Sequence, residues 1–293
     1  TYKLTYPRCI HSELMTYRMM SVNSASSRAI PVDKLIAVIE ETPFYPCYFQ
    51  LQHKGMQGNL YADYSIEQKA FKCWNESLHH SVKIAKELSK DVTKQIVNRL
   101  IEPYQYHCCL ITGTRESFEH LFLQRCPVYN VEGLKFTSKK EAIELYPHLK
   151  GMTDLEWLQC NSGQAEIHFM DLAEKMYDAL NESKPNELKA GEWHIPFSNE
   201  PCFTPEMSLK DKIVLSCAMI ARTSYTKIGD NQNISFKTAY KIFNKCKKEK
   251  HYSIFEHAGR CMTKEEWEAN LRGAAIYEFS KDGLNYNIVS DCE

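Results

Sequence analysis

Thr16-Tyr17-Arg18-Met19-Met20-Ser21-Val22-Asn23-Ser24-Ala25-Ser26-Ser27-Arg28-Ala29-Ile30-Pro31 sets two guanidinium groups around a run of hydroxyls and one amide. An extended or turning Ile-Pro closes the run before a helical pattern starts at Val32. The segment has little to bury. Arginine offers a planar fork of donors that fits phosphate or carboxylate, and Ser and Asn side chains bind ligand oxygens or satisfy local backbone groups. Two readings follow, an anion- or nucleotide-binding loop and a solvated Ser-rich turn that caps the helix beginning near Pro31. Composition alone favours the capping turn, so the rest of the chain has to decide.

The 293 residues carry 36 basic and 37 acidic side chains, with 43% hydrophobic and 25% charged residues. That is the composition of a globular protein with a substantial core, long enough for one large or two ordinary domains. The near-zero net charge supplies no global field toward nucleic acid or an anionic membrane, so anion binding has to be local. No stretch reaches the roughly 20 apolar residues of a membrane span, and a cytoplasmic location is expected. The twelve cysteines are scattered, with no C-x-x-C and no Cys/His set at zinc-finger spacing. They read as free, mostly buried thiols in a reducing compartment, with no metal site, and adjacent Cys108 and Cys109 as packing.

Outward from the serine segment, alternation in Tyr2-Lys-Leu-Thr-Tyr6 predicts a short strand ended by Pro7. Residues 8–18 read as a short helix or bend, and Pro31 to about Glu41 as a helix. Residues 42–64 read as a long ordered loop. Ser65-Ile-Glu-Gln68 has the form of a capping box, opening a helix with Ile66, Ala70, Phe71, Trp74, Leu78, Val82, Ala85 and Leu88 on its apolar face. Adjacent His79 and His80 diverge on that helix and read as a solvated pair. Helices are also predicted at Val92–Ile101, Thr114–Arg125, Ser138–Tyr146 and Gln164–Leu180. Residues 104–112 fit either a helix start or a buried strand. After a proline-rich link at about 184–205, helices are expected from Ser208 to Arg222, from Ser235 to Lys248 and from Thr263 to about Phe279. The sum is a helix-rich α+β chain with a small, mostly antiparallel sheet.

Basic and amide residues at 18, 28, 99 and 125 sit at helix boundaries or in loops, where side chains converge on pockets. In a chain without net positive charge this favours a phosphate-bearing ligand. Ser253-Ile-Phe-Glu-His257-Ala and Ala221-Arg-Thr-Ser-Tyr225 form a second constellation. His257 there reads either as a group that stacks on a cofactor ring or as a satisfied core residue.

Together these pieces resemble the flavin-dependent thymidylate synthase family. Ser21-Val-Asn23-Ser-Ala-Ser26-Ser-Arg28 is similar to the S-x-N-x-x-S-x-R core of its signature. Asn98-Arg99-Leu-Ile-Glu-Pro103 resembles its helix with an Arg shortly before a Pro, and Phe118 to Arg125 its helix ending in a Leu-x-Leu-Arg-like motif. Gln164-Ala-Glu166-Ile167 resembles the following Ala-Gln-x-Glu-Ile. Ala221-Arg222-Thr-Ser224 and Phe255-Glu256-His257 resemble the A-R-V-S and F-E-H segments. In most of the family those two segments come first, so their place here is that of a circular permutation. The expected organisation is one domain over 1–293, with an inserted segment at about 126–161 and a permuted part at about 206–293. Thr16-Tyr17-Arg18 stands where the family has Arg-His-Arg, and Asn23-Ser24 where it has Asn-Glu.

The resemblance implies a homotetramer that methylates dUMP at C5, with FAD as cofactor and NADPH and methylenetetrahydrofolate as cosubstrates. By match of motif, Arg125 would stabilise charge on the pyrimidine. Glu13, Ser24, Ser26, Arg28 and Arg99 would hold the nucleotide. Tyr17, Arg18, Asn23, Thr114, His120 and His257 would border the flavin. The altered Tyr17 and Ser24 leave open dCMP as substrate, a hydroxymethyl product, or a non-catalytic nucleotide-binding paralogue.

Overall fold

The computed structural model of the protein describes residues 1–54, 58, 60–223 and 234–269. In chain order the elements are β1 (Tyr2–Pro7), α1 (His11–Leu14), β2 (Met20–Ser24), α2 (Val32–Glu41), α3 (Tyr64–Leu88), α4 (Lys94–Val97), β3 (Tyr106–Gly113) and α5 (Arg115–Arg125). β4 (Tyr129–Val131), β5 (Leu134–Phe136), α6 (Lys139–Leu145), α7 (Asp154–Cys160) and α8 (Ile167–Glu182) follow. Then come β6 (Trp193–His194), α9 (Leu209–Thr223), α10 (Phe236–Lys248), β7 (Gly259–Arg260) and α11 (Lys264–Ala269). The chain is therefore helix-rich α+β, and the described strands pair antiparallel.

The ambiguous stretch at 104–112 is the middle strand of a three-stranded sheet ordered β1-β3-β2. His107 to Ile111 are buried in succession because the sheet is covered on both faces, which also erases the alternation that marks a strand in sequence. On one face Leu4, Tyr6, Met20, Cys109 and Ile111 meet Phe118 and Leu121 of α5 and Phe169 and Ala173 of α8. On the other, Leu110 joins the apolar sides of α9 and α10. Each such fully buried aliphatic side chain contributes roughly 1.5–3 kcal/mol. A third cluster packs α2 against α3 and the 3₁₀ turns before β3. A fourth belongs to the inserted segment itself, through Tyr129, Val131, Phe136, Leu149 and Trp157.

Several expectations change. The serine segment is not one loop: Met20–Ser24 pair with residues 113–109 of β3 as the third strand. Edge pairing satisfies its backbone, and the polar side chains of Ser21 and Asn23 hide the strand pattern. No serine caps α2, whose N-cap is Pro31 without a side-chain bond. The N-cap of α3 is Asp63, which accepts from Ile66 N at 2.9 Å, so Ser65-Gln68 is not the capping box. A carboxylate two residues earlier reaches one of the orphan amides of the first turn and complements the helix dipole. Only Leu78, Val82 and Ala85 of that helix are buried, while Ile66 and Phe71 stay exposed. α8 starts at Ile167 with Glu166 as its cap, leaving Gln164 and Ala165 outside. The helix expected over 92–101 stops at Val97 and tightens into a 3₁₀ turn. Of the eleven cysteines among the described residues, four are buried, so the thiols are not mostly buried. Ser224, Tyr225, most of the last predicted helix and Cys292 lie outside the described residues.

Residues 126–161 are tied to α8 at its surface by Glu141 with Tyr177 and Lys140 with Glu182, and in its interior by one carboxylate. Glu174, 8% exposed, accepts from Tyr129 Oη at 2.9 Å and from Lys139 N at 2.6 Å. Removing it strands a buried phenol and the first amide of α6. Glu174→Ala should therefore cost about 2 kcal/mol and speed proteolysis within 126–161; an unchanged urea midpoint would refute this tie.

Candidate active site

β2 divides the predicted site residues between its two ends. It spans five residues, about 16 Å at the rise of an extended strand. Tyr17 and Arg18 precede it, and Met20 pairs with Gly113, next to Thr114. Ser26 and Arg28 follow its other end, where Ala25 N bonds Cys108 O at 2.9 Å.

Several of the predicted residues converge on Arg125. Thr114 caps α5, its Oγ1 accepting from Ser117 N at 3.3 Å, and Arg125 is the last helical residue, where a cation complements the dipole. Arg125 Nε donates to Tyr17 Oη at 2.6 Å, and Tyr17 Oη donates to Gln124 Oε1 at 3.0 Å. Gln124 Nε2 lies 3.1 Å from His120 Nε2. The guanidinium sits 5.6 Å from the Tyr17 ring centre and 5.3 Å from that of Phe169, and 3.9 Å from Glu13 Oε2. Burial and the charge of Glu166 push the Glu13 carboxyl up, while Arg125 opposes them. The result is a cation held on one edge by a phenol and flanked by an aromatic wall, with 28% of its side chain exposed. Glu13, Tyr17, His120 and Arg125 are thus linked, with Arg18 exposed beside Tyr17, whereas exposed Thr114 lies at the opposite end of α5 from Arg125, about 16 Å away.

The other end is organised by a residue that motif reading passed over. Glu102 Oε1 accepts from Ser27 Oγ at 2.5 Å and from Arg99 NH1 at 2.7 Å, with Arg8 NH2 at 3.8 Å. Arg8 also lies 3.2 Å from His107 Nε2. Asn98, fully buried, donates to Ser27 O at 2.6 Å and to Ile30 O at 3.0 Å, fixing the loop that carries Ser26 and Arg28. Arg99 and Glu102 are separated by three residues, a spacing that signals a helical pair. The Ser27 and Arg8 contacts join distant segments and carry no such signal.

Asn23 and His257 turn inward and connect the C-terminal part to the sheet. Asn23 Nδ2 donates to Ile220 O at 2.8 Å and Asn23 Oδ1 accepts from Ser253 Oγ at 3.4 Å. His257, 1% exposed, places Nδ1 2.8 Å from Thr112 Oγ1. Two buried side-chain atoms lack a partner among the described residues, His257 Nε2 and Asn98 Oδ1. Ser24, half-buried, pairs across from Cys109. Of the residues Ala221, Arg222 and Thr223, which the resemblance singled out, Thr223 is buried at the end of α9.

No family model matches the chain, and no curated protein matches it. Among solved structures, the UMP/dUMP methylase PolB from Streptomyces cacaoi, bound with 5-Br UMP, is similar at 13% identity and a TM-score of 0.42. The match covers 61% of this chain and 67% of that one. No helix among the described residues is long and apolar enough to cross a membrane.

Burial sets the charge state of the imidazoles. It pushes His257 down to about 3. Burial, with Arg8 and His11 beside it, pushes His107 down to about 2, and burial with Arg8 pushes His11 down to about 4. These values lie below the ordinary imidazole value of about 6.5, so their contribution is complete above that pH and is lost as pH falls towards them. The fully enclosed His107 and His257 should each cost about 1.4 kcal/mol of stability per pH unit below 6.5. Guanidinium unfolding should show a lower midpoint at pH 5 than at pH 7.5, and equal midpoints would contradict the neutral, buried assignment.

Proposed function

We propose that the protein is a flavin-dependent C5 methylase of a pyrimidine deoxynucleotide, most simply a thymidylate synthase acting on dUMP. The observation that carries the reading is Arg125, set against Tyr17, Phe169 and Glu13. Making C5 of a pyrimidine nucleophilic places negative charge on the ring and its carbonyl oxygens, and a preorganised guanidinium stabilises that charge. The aromatic wall of Phe169 and Tyr17 shields the cation from water and strengthens its field. Sequence resemblance to the flavin-dependent thymidylate synthases points to the same residue.

The phosphate falls to the other end of β2, where Ser26, Arg28 and Arg99 supply hydroxyl and guanidinium donors. Arg99 and Ser27 both donate to Glu102, so an incoming phosphate competes with that carboxylate for the cation. Glu13 beside Arg125 shares α1 with His11, whose ring lies 4.3 Å from that of His107 next to Arg8 and Glu102, so the two groups are linked on one chain; the homotetramer is carried by the sequence resemblance. Arg18 and His120, exposed beside Tyr17 and its partner Gln124, offer a cation and an imidazole suited to a flavin pyrophosphate or ring edge, and exposed Thr114 offers a hydroxyl at the other end of α5. Bound FAD, reduced by NADPH, would supply the hydride, and methylenetetrahydrofolate the carbon. Asn23 and His257 hold the fold together in this arrangement and contact a flavin only if the C-terminal part shifts. That inward position favours a second reading, a nucleotide-binding paralogue without redox chemistry. The hydroxyl of Ser24 and the phenol of Tyr17 keep dCMP and a hydroxymethyl product within the enzyme reading.

The purified protein should be yellow or take up FAD, and should convert dUMP or dCMP to a product heavier by one methyl or hydroxymethyl group in the presence of methylenetetrahydrofolate and NADPH. A colourless protein that cannot be reconstituted with FAD selects the second reading. Arg125→Ala should abolish turnover, by at least about 10²-fold, while FAD remains bound; retained turnover would remove Arg125 from the chemistry.

A further inference from the structure

The net charge of −1 conceals one strongly basic surface. Residues 236–252 hold six lysines against one carboxylate, Glu249, so a formal charge of +5 sits in these residues and −6 in the rest of the chain. Glu249 is itself engaged, 3.2 Å from His251 Nε2. On α10 the helix period sorts the side chains into two sides. Ala239 and Phe243 are buried, and with Ile242 and Cys246 they pack into the cluster built around α9. Lys237, Lys241, Lys245 and Lys248 recur at steps of four, four and three, which sets them within an arc of about 80° on the opposite side. All four are exposed. They form a stripe about 16 Å long, and none of them is in an ion pair or hydrogen bond among the described residues.

The end of the helix extends the stripe. Lys250 lies in the left-handed region at φ 57°, and beyond it His251 N closes on Cys246 O at 2.9 Å. Glycine takes such a position without strain, so exposed Lys250 adds a cation where the backbone alone favours another residue. Exposed Phe236 opens the helix and exposed Tyr252 follows its end. Like charges three and four residues apart repel on a helix, so the row is unfavourable until a partner supplies counter-charge. We propose that this face of α10 binds the phosphate backbone of a single-stranded nucleic acid, with Phe236 and Tyr252 offering rings on which unpaired bases stack. A polyanion of regularly repeated charge matches a row of cations with no carboxylate in it. A bilayer surface fits less well, because the apolar side of α10 is already buried against α9 and leaves no face to insert. None of these residues belongs to the mononucleotide site above, so the two readings stand or fall separately.

A short fluorescein-labelled oligothymidylate, titrated with the full chain and followed by anisotropy, tests the surface. Log affinity should fall against log salt with a slope of about −3, the value for four phosphate contacts on a single strand. The combined variant Lys237→Gln, Lys241→Gln, Lys245→Gln and Lys248→Gln should lose at least about tenfold in affinity at about 100 mM salt and most of that slope. Lys34→Gln, Lys69→Gln, Lys83→Gln and Lys90→Gln together make the same change in net charge at exposed lysines off α10, and should leave affinity and slope as they were. Phe236→Ala with Tyr252→Ala should weaken binding at least about fivefold at an unchanged slope. A wild-type protein that does not bind the oligonucleotide at low salt, or equal losses in the two lysine variants, would overturn the proposal. Full affinity in the aromatic variant, or tighter binding to phosphatidylserine vesicles than to the oligonucleotide, would overturn the assignment of a single strand as the occupant.

Discussion

The antiparallel pairing of β3 with β1 on one side and β2 on the other is the constraint from which the rest follows. A strand buried on both faces has to satisfy its amides and carbonyls laterally, because no water reaches them. β1 lies far upstream and β2 nearly as far, so closing these ladders draws residues 2–24 onto residues 106–113. Once that sheet exists, its two apolar faces demand cover. α5 and α8 cover one, and α9 and α10 the other. The C-terminal part is thus held against the serine segment by the sheet, whatever its order in the chain.

The same constraint distributes the polar chemistry. Tyr17 and Arg18 precede β2 and Ser26 and Arg28 follow it, and each pair has its own charged neighbour. Arg125 is set against Tyr17 by the C-terminus of α5, and Glu102 against Ser27 by the turn that leads into β3. Buried Asn23, between them, serves the packing of α9. Its amide donates to the carbonyl of Ile220 in the last turn of that helix.

The inserted segment follows a different logic. It has its own apolar cluster and its own hairpin, and joins the body through Glu174 and through Asn161, whose Nδ2 donates to Met170 Sδ at 3.1 Å. A segment that buries its own aromatics needs only a few polar ties to the body. Glu166 and His168 lie just beyond it, at the start of α8. There a capping carboxylate has a second oxygen to spare for an imidazole.

The helices were legible in the sequence where apolar residues recur at helical spacing beside a capping side chain. Thr114, Ser138 and Ser235 cap where the pattern places them. β1 was legible from its alternation, and the position of Arg125 as the last residue of its helix from the helical pattern before it. Local spacing also contains the Arg99 and Glu102 pair. What only tertiary structure decided is everything that depends on a distant partner. β2 looks like a serine loop until β3 supplies its hydrogen bonds, and β3 looks ambiguous because cover on both faces removes its period. Tyr17 becomes a ligand of Arg125, Ser27 a ligand of Glu102, and His168 the neighbour of Cys47, only through contacts across many residues. Periodicity and capping are local energies written in neighbouring residues, whereas pairing and burial depend on which surfaces meet.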